Sequence, residues 1–494
     1  MALVIGALAG YAGIALRLLL PMFHELFFVR GASALSFLGP SYVVLLPTIG
    51  GLIVGLMVVF LAREARGAGV SDVVLAVLFQ GSKMRPRVAG VKVIATSLLI
   101  GSGGSAGIEG PIIQIGSAIG SAVGQWLRLA EEDIRIALAS GAAAGIAATF
   151  NTPLAGVFFA LEVILVDFSS RSFGMVVISA VTANIVSRLS LGGAPILAVP
   201  QYTMVHPGEL FLYLLLGGAA AIVGVLFTTC LDRIEAAFAN WIFPDYLKPA
   251  LGGLIVGSIG LFLPQVFGLG YDTIGAAVAG RLPLTLLLAL IVAKLVATSI
   301  TVGSGASGGV IGPSLYLGAV TGGAVGTLFH AFLPQWTAPS GAYAVMGMAA
   351  VFSATAHAPM TAIFTLFELT NDYNMILPLM ICCVASTYLA YRITPHTIYS
   401  VGLIRRGIDV HKGRVSLPLH PGTIFVDLLV GSNSPAAEKL VKDLDLPPDC
   451  ILVSVRRRSH AIIPRGNTLL KPGDRVVVVS TPENEKYLRE LIEA

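Results

Sequence analysis

A stretch of this chain returns 202 positions later without a gap. Lys92-Val93-Ile94-Ala95-Thr96-Ser97, continuing through Gly101-Ser102-Gly103, Ser105, Gly107, Gly110 and Pro111, matches Lys294-Leu295-Val296-Ala297-Thr298-Ser299, Gly303-Ser304-Gly305, Ser307, Gly309, Gly312 and Pro313. A second pair follows the copies: Phe150-Asn151-Thr152-Pro153 after the first, Ala356-His357-Ala358-Pro359 after the second. In an apolar chain a motif carried twice predicts two structural repeats about a shared centre, the way transporters and channels are built. The copies differ pointedly at one position. Where the second has Ile311, the first has Glu109.

The repeat implies a membrane, and composition agrees. Hydrophobic residues make up 55% of the 494 and charged residues only 12%, against about 25% charged in soluble proteins. Arg63, Arg66, Lys83, Arg85, Arg87, Arg405, Arg406, Lys412 and Arg414 cluster in polar segments beside apolar ones. Such segments are expected on the cytoplasmic side. The start at Met1 lacks a basic n-region and runs on into Arg17 and His24, so no cleavable signal peptide is expected. Cys230, Cys382, Cys383 and Cys450 have no zinc or redox spacing, and the Cys382-Cys383 pair reads as packing. No metal, cofactor or nucleic acid is expected.

Residues 1–404 read as membrane, in two inverted halves of about 1–200 and 201–404. The runs are cut by glycine and proline around Gly101–Gly120, Gly141–Gly156 and Gly303–Gly323. Spans interrupted in this way predict broken or re-entrant helices, whose free backbone must be buried in protein or line an aqueous path. Residues 405–422 read as a linker and 423–494 as a small cytoplasmic domain. Within it, strands are expected over Thr423–Val430, Ile451–Val455 and Arg475–Ser480, and turn chemistry over Asn467–Asp474. A short helix capped by Ser434 should start at Pro435, and Glu483–Glu493 should close the chain as a helix. The fold class is thus an all-α polytopic membrane protein of two inverted repeats with broken and re-entrant helices, plus a small cytoplasmic α/β domain.

Pro111 suits the first turn of a helix, so a helix should open near Glu109, and Gly309-Val310-Ile311-Gly312-Pro313 predicts the same in the second half. Helix N-termini attract anions. Two of them, brought together by inverted halves, make an anion site from the backbone of Gly107, Ile108, Gly110, Val310 and Ile311. Each end contributes about 0.3–1 kcal/mol, weak enough for an ion that must leave. Glu109 is a tethered anion beside that site. Ionised, it can occupy and block the site; protonated, it can swing away. A charge at membrane depth costs about 2.5–3.5 kcal/mol on insertion scales and points to function.

Gly107-Ile108-Glu109-Gly110-Pro111 resembles the gating-glutamate motif of the CLC family of chloride channels and proton–chloride exchangers, and Gly309–Pro313 resembles that family's second anion motif. Phe150–Glu162 and Met348–Asp372 resemble two further family segments. The resemblance spans about residues 1–404. It implies a homodimer in a cell membrane of prokaryotic type, with one pathway for chloride or a similar anion in each subunit. It also implies Tyr399 as an anion ligand. The family's glycine-serine-glycine-isoleucine-proline motif stands here as Gly67-Ala68-Gly69-Val70-Ser71, with Ala68 at the coordinating position and Ser71 in place of proline. Val163 occupies the place of the inner glutamate usual in proton-coupled members, and its neighbour Glu162 is the candidate for a proton path. The tail, through Val455-Arg456-Arg457-Arg458, Ile462-Ile463-Pro464 and Lys471–Val478, resembles the TrkA-C (RCK-C) domain, which implies regulation by a small ligand.

The expectation is anion transport, not enzymology. Transport is expected to be passive or loosely proton-coupled, gated by Glu109 and modulated by the tail, with proton–chloride antiport as the alternative. A potassium-type cation transporter is more remote: Thr301-Val302-Gly303 begins like a carbonyl filter but continues Ser304-Gly305. No protease motif stands out. Lys92 and Lys294 occupy equivalent places and should serve structure, by capping or by reaching an interface. Glu162 and Glu368 correspond likewise, and His357 reads as a polar group at a helix start.

Overall fold

The computed structural model describes residues 1–31, 33, 35–193, 202, 204–405, 407–409, 414–415, 424–432, 434–447, 450–457, 460–462, 464 and 466–493. Most of the 405–422 linker, with Arg406 and Lys412, lies outside these, as do Thr423, Arg458 and Ile463. The chain forms two compact units, Met1–Arg406 and Gly407–Ala494.

In the first unit, 8 described helices are long and apolar enough to cross a membrane, from Ala2–Gly31 to Tyr373–Ile393. Shorter apolar helices accompany them: Val70–Phe79, Pro153–Leu165, Lys248–Phe262 and Ser340–Ala356. The glycine-rich stretches behave in two ways. Between Gly101 and Glu109, and again between Gly303 and Ile311, the helix stops and restarts. The stretch Gly141–Gly156 is likewise cut, at Asn151-Thr152, but other glycines of these stretches interrupt nothing: Glu109–Trp126, Glu131–Phe150 and Ile311–Phe332 run straight through theirs. There the missing side chain serves contact. A Cβ on Gly116 would stand 2.0 Å from Gly141 O, and one on Gly318 would stand 2.2 Å from Gly347 O. In each half two helices therefore cross backbone to backbone, the small-residue packing that suits a lipid setting.

Buried lysines mark the repeat. Lys92 Nζ donates to Ala65 O at 2.9 Å and to Gly67 O at 2.8 Å. Lys294 Nζ donates to Val266 O at 3.0 Å and to Gly268 O at 2.9 Å. Both side chains are fully buried, so the task is capping and neither reaches an interface. His357 differs from expectation. It ends the helix Ser340–Ala356 in the left-handed conformation (φ 51°), as Asn151 ends Glu131–Phe150 (φ 60°). The next helices begin two residues later at Pro153 and Pro359, because proline is suited to a helix start and cannot extend the helix before it. Cys382 and Cys383 are buried and free.

In the second unit four strands pair antiparallel in the order Ile424–Leu429, Arg475–Ser480, Ile451–Arg457, His460–Ile462. Ile408–Asp409 pairs separately with Arg414–Val415. Val426 lies opposite Val478 and Leu428 opposite Val476. Alternation therefore buries these four residues with Leu452 and Val455, together with Leu488 and Ile492 of the helix Glu485–Ile492. The strand His460–Ile462 was not anticipated. The helix expected from Pro435 is instead a turn, and Ser434 Oγ donates to Gly431 O at 3.1 Å rather than capping. The backbone there is engaged elsewhere: Glu438 N–H donates to Leu470 O at 2.9 Å and Val441 N–H to Thr468 O at 2.9 Å.

Asp474 closes this domain. Its side chain is 2% exposed and accepts Arg457 Nε at 2.8 Å, Arg457 Nη2 at 2.7 Å and Lys471 N–H at 2.9 Å. Burial pushes the carboxyl up, but these bonds outweigh it and hold it below its ordinary value. A depressed carboxyl stabilises the fold above its unfolded pKa, about 3.9, and that contribution is lost as pH falls through the folded value. Asp474→Asn should destabilise the domain by about 1–3 kcal/mol at pH 7 and flatten its loss of stability in acid. Hydrogen–deuterium exchange of the strand peptides in the full chain, compared at pH 7 and near pH 4, checks both.

Candidate functional site

The two helix breaks meet. Gly107 N–H donates to Gly309 O at 2.8 Å and Gly309 N–H to Gly107 O at 2.7 Å, while Gly67 N–H donates to Ala306 O at 3.0 Å. Hydroxyls tie the halves on both sides of this bridge: Thr96 to Ser307 at 3.1 Å, and Ser105 to Thr298 at 3.1 Å. These are the same two repeat positions taken in opposite order, as halves related by a pseudo-twofold axis require.

Four helices open at this junction: Val70–Phe79, Glu109–Trp126, Tyr271–Val278 and Ile311–Phe332. Their N-cap residues are Gly69, Ile108, Gly270 and Val310, and none supplies a side-chain cap. The opening N–H groups are therefore left for another acceptor. Contacts are backbone to backbone: a Cβ on Gly110 would stand 2.3 Å from Ala68 O, and one on Gly309 would stand 2.8 Å from Gly110 N.

The acceptor present is Glu109. Its Oε2 takes Gly312 N–H at 3.0 Å, so a carboxylate from the first half sits on the helix N-terminus of the second. Only glycine leaves it room, since a Cβ on Gly107 would lie 2.2 Å from Oε2 and one on Gly312 2.8 Å from it. Tyr271 Oη donates to the other oxygen, Oε1, at 3.4 Å. Glu109 also borders a small cavity of about 40 Å³, walled mainly by apolar groups including Phe150, Phe159, Leu315, Phe352 and Leu369. A larger cavity of about 140 Å³ is bordered by Ala68, Arg63, Arg66, Ser71, Asp72 and Glu235.

Of the residues expected at a site, Gly107, Ile108, Glu109, Gly110, Val310 and Ile311 come together, and Ala68 touches them through its carbonyl. Tyr399 is buried, its ring edge-on to Phe159 at 6.3 Å, and its hydroxyl makes no hydrogen bond among the described residues. Ser71 Oγ donates to Tyr399 O at 2.7 Å, so the residue standing in place of a proline tethers that tyrosine's backbone. Sequence reasoning missed Tyr271 and this tether, and left Gly312, although within the second motif, out of the expected anion ligands. For Tyr271 a signal existed: Gly268-Leu269-Gly270-Tyr271 repeats Gly67-Ala68-Gly69-Val70.

Residues 50–391 match the family described as Voltage gated chloride channel, and residues 425–493 match the TrkA-C domain. The chain is 35% identical over 369 residues to a ClcB-like chloride channel protein of Ralstonia nicotianae, covering 74% of this chain and 86% of that protein. It is 34% identical over 413 residues to the H(+)/Cl(-) exchange transporter ClcA of Vibrio parahaemolyticus, covering 81% and 88%. Among solved structures, a slow cyanobacterial Cl-/H+ antiporter superposes with a TM-score of 0.73 at 27% identity, over 82% of this chain and 96% of that one.

Glu162 is engaged with Thr361, which borders the same small cavity as Glu109. Its carboxylate accepts Met360 N–H at 3.1 Å, Thr361 N–H at 2.8 Å and the Thr361 hydroxyl at 2.7 Å. Glu368 accepts Leu154 N–H at 2.9 Å and Ala155 N–H at 2.8 Å. Each glutamate thus caps the opening turn of a helix in the other half. Glu162→Ala and Glu368→Ala should each lower stability, by about 1–3 kcal/mol for the stranded N–H groups. Thermal unfolding of the detergent-solubilised protein checks this; a drop for one variant alone would separate the two roles.

Proposed function

The chain belongs to the Voltage gated chloride channel family, and from that premise we propose that it carries chloride across a cell membrane through the junction of its two halves, gated by Glu109. The observation that carries this reading is the carboxylate on Gly312 N–H: an anion held by a helix N-terminus, as a mobile ion would be. Ionised Glu109 occupies the place of the transported ion. Protonation removes its charge and its claim on the N–H groups. The neutral acid then suits the adjoining apolar cavity, which a carboxylate would enter only at a large desolvation cost. A chloride ion takes the vacated donors, together with the free hydroxyl of Tyr399. Arg63 and Arg66 line the cavity by Ala68 and draw anions to the cytoplasmic mouth.

Coupling has two readings. Passive or loosely coupled transport is supported by Val163 at the inner position and by Glu162, whose oxygens are engaged in a cap. Obligatory proton–chloride exchange is the second reading, favoured by the names of the Vibrio and cyanobacterial relatives. The family resemblance supports a homodimer, and the TrkA-C match supports a cytoplasmic tail that modulates flux.

Protein reconstituted in liposomes should dissipate a chloride gradient and leave a potassium gradient standing, with flux rising as pH falls. Simultaneous proton recording decides coupling: a fixed stoichiometric proton flux establishes exchange. Glu109→Gln should conduct chloride at a rate independent of pH; a preserved acid activation would remove Glu109 from the gate.

Deleting residues 415–494 should leave chloride flux intact and abolish its response to cytoplasmic nucleotides or small anions. Liposome flux with and without such compounds, on both proteins, measures this; equal responses would assign the tail to assembly.

A further inference from the structure

The internal repeat is broken at two positions that face each other. Lys92 binds the carbonyls of Ala65 and Gly67, and Lys294 those of Val266 and Gly268. This aligns Gly67-Ala68-Gly69-Val70 with Gly268-Leu269-Gly270-Tyr271. Each run ends on the first residue of a helix, after a glycine in a positive-φ conformation (88° at Gly69, 75° at Gly270). The first half has Val70 where the second has Tyr271. At the other motif the first half has Glu109 where the second has Ile311. The two polar exceptions meet, with Tyr271 Oη donating to Glu109 Oε1 at 3.4 Å while Oε2 holds Gly312 N–H.

We propose that Tyr271 is a latch: a positioning residue that holds the Glu109 carboxylate on the Ile311 helix and sets how acid the solution must be before the anion path opens. This rests on the reading of Glu109 as the gate. The phenol is rigidly presented. Lys294 clamps the loop before it and lies over the Tyr316 ring at 4.8 Å. A hydroxyl donor favours the charged carboxylate in place over the neutral acid, and the bond is lost when Glu109 leaves. The other titratable groups facing Glu109 are Lys294 and Tyr399, and Arg17 acts on Tyr271 itself. Lys294 donates to Val266 O and Gly268 O, and Tyr399 makes no hydrogen bond to Glu109 among the described residues. Among the described residues, Tyr271 is the side chain that hydrogen-bonds the carboxylate.

The test is chloride flux against pH for the full-length protein in liposomes, comparing wild type, Tyr271→Phe, Glu109→Gln and the double variant. Tyr271→Phe should move the midpoint of acid activation toward alkaline pH by about half a unit, a roughly threefold change in proton demand, with the maximal flux unchanged. The double variant should behave as Glu109→Gln alone. Calorimetric titration with chloride in detergent at fixed pH gives an independent measure: Tyr271→Phe should bind chloride more tightly, because the competing carboxylate is held less firmly. The latch is overturned if Tyr271→Phe scales flux equally at every pH, leaves chloride affinity unchanged, or has the same effect with and without Glu109. Acid activation that persists in Glu109→Gln is a different failure, that of the gate reading, and is recognised without reference to Tyr271.

Discussion

Two backbone hydrogen bonds between Gly107 and Gly309 join the halves where each stops being helical. At membrane depth an unpaired N–H or carbonyl costs several kcal/mol, so a broken helix persists only if its loose ends are satisfied. Here each break satisfies the other. Because the bridge is antiparallel and reciprocal, the helices that restart after it open on the same small volume. The Val70 and Tyr271 helices, opening after loops held by the buried lysines, complete the ring. The candidate site follows from how the fold closes its own backbone.

The same economy accounts for two pairs of charged side chains. Lys92 and Lys294 cap carbonyls within their own halves, while Glu162 and Glu368 cap N–H groups of the opposite half. Every one of these residues has a counterpart in the other copy with the same kind of partners. Polar groups present twice serve the architecture, because both halves face the same problem of unsatisfied backbone. Some polar groups present once stand outside this pattern. Glu109 against Ile311 and Tyr271 against Val70 are such cases, and they touch.

On the proposed reading, the departures at the inner end of the site have a coherent physical sense. Ala68 offers no hydroxyl, so an anion there meets backbone and the Tyr399 phenol alone. Ser71, standing in place of a proline, spends its hydroxyl on the Tyr399 carbonyl and so fixes the backbone that carries that phenol. Donors that are few and backbone-borne bind weakly, which suits an ion in transit.

The duplication, the membrane class, the helix starts at Glu109 and Ile311 and the odd carboxylate were all legible in the residues. Each is a local property: a repeated string, an apolar count, a proline in a first turn. Local patterns misled where a glycine or a capping serine can do two things. Gly116 and Gly141 lie in stretches that do break, at 102–108 and 151–152, but are themselves crossings. Ser434 looked like a cap and closes a turn, because distant residues 466–470 take the backbone bonds a helix would need. His357 looked like a helix start and is an end. The sequence by itself determined that two like halves surround a site bearing a single carboxylate. Only the tertiary structure decided that Glu109 rests on Gly312 N–H, that Tyr271 reaches it, and that Glu162 is spoken for by Met360 and Thr361. These contacts join residues about 160 to 200 positions apart, and what places them together is the pairing of two inverted halves, which no local pattern encodes.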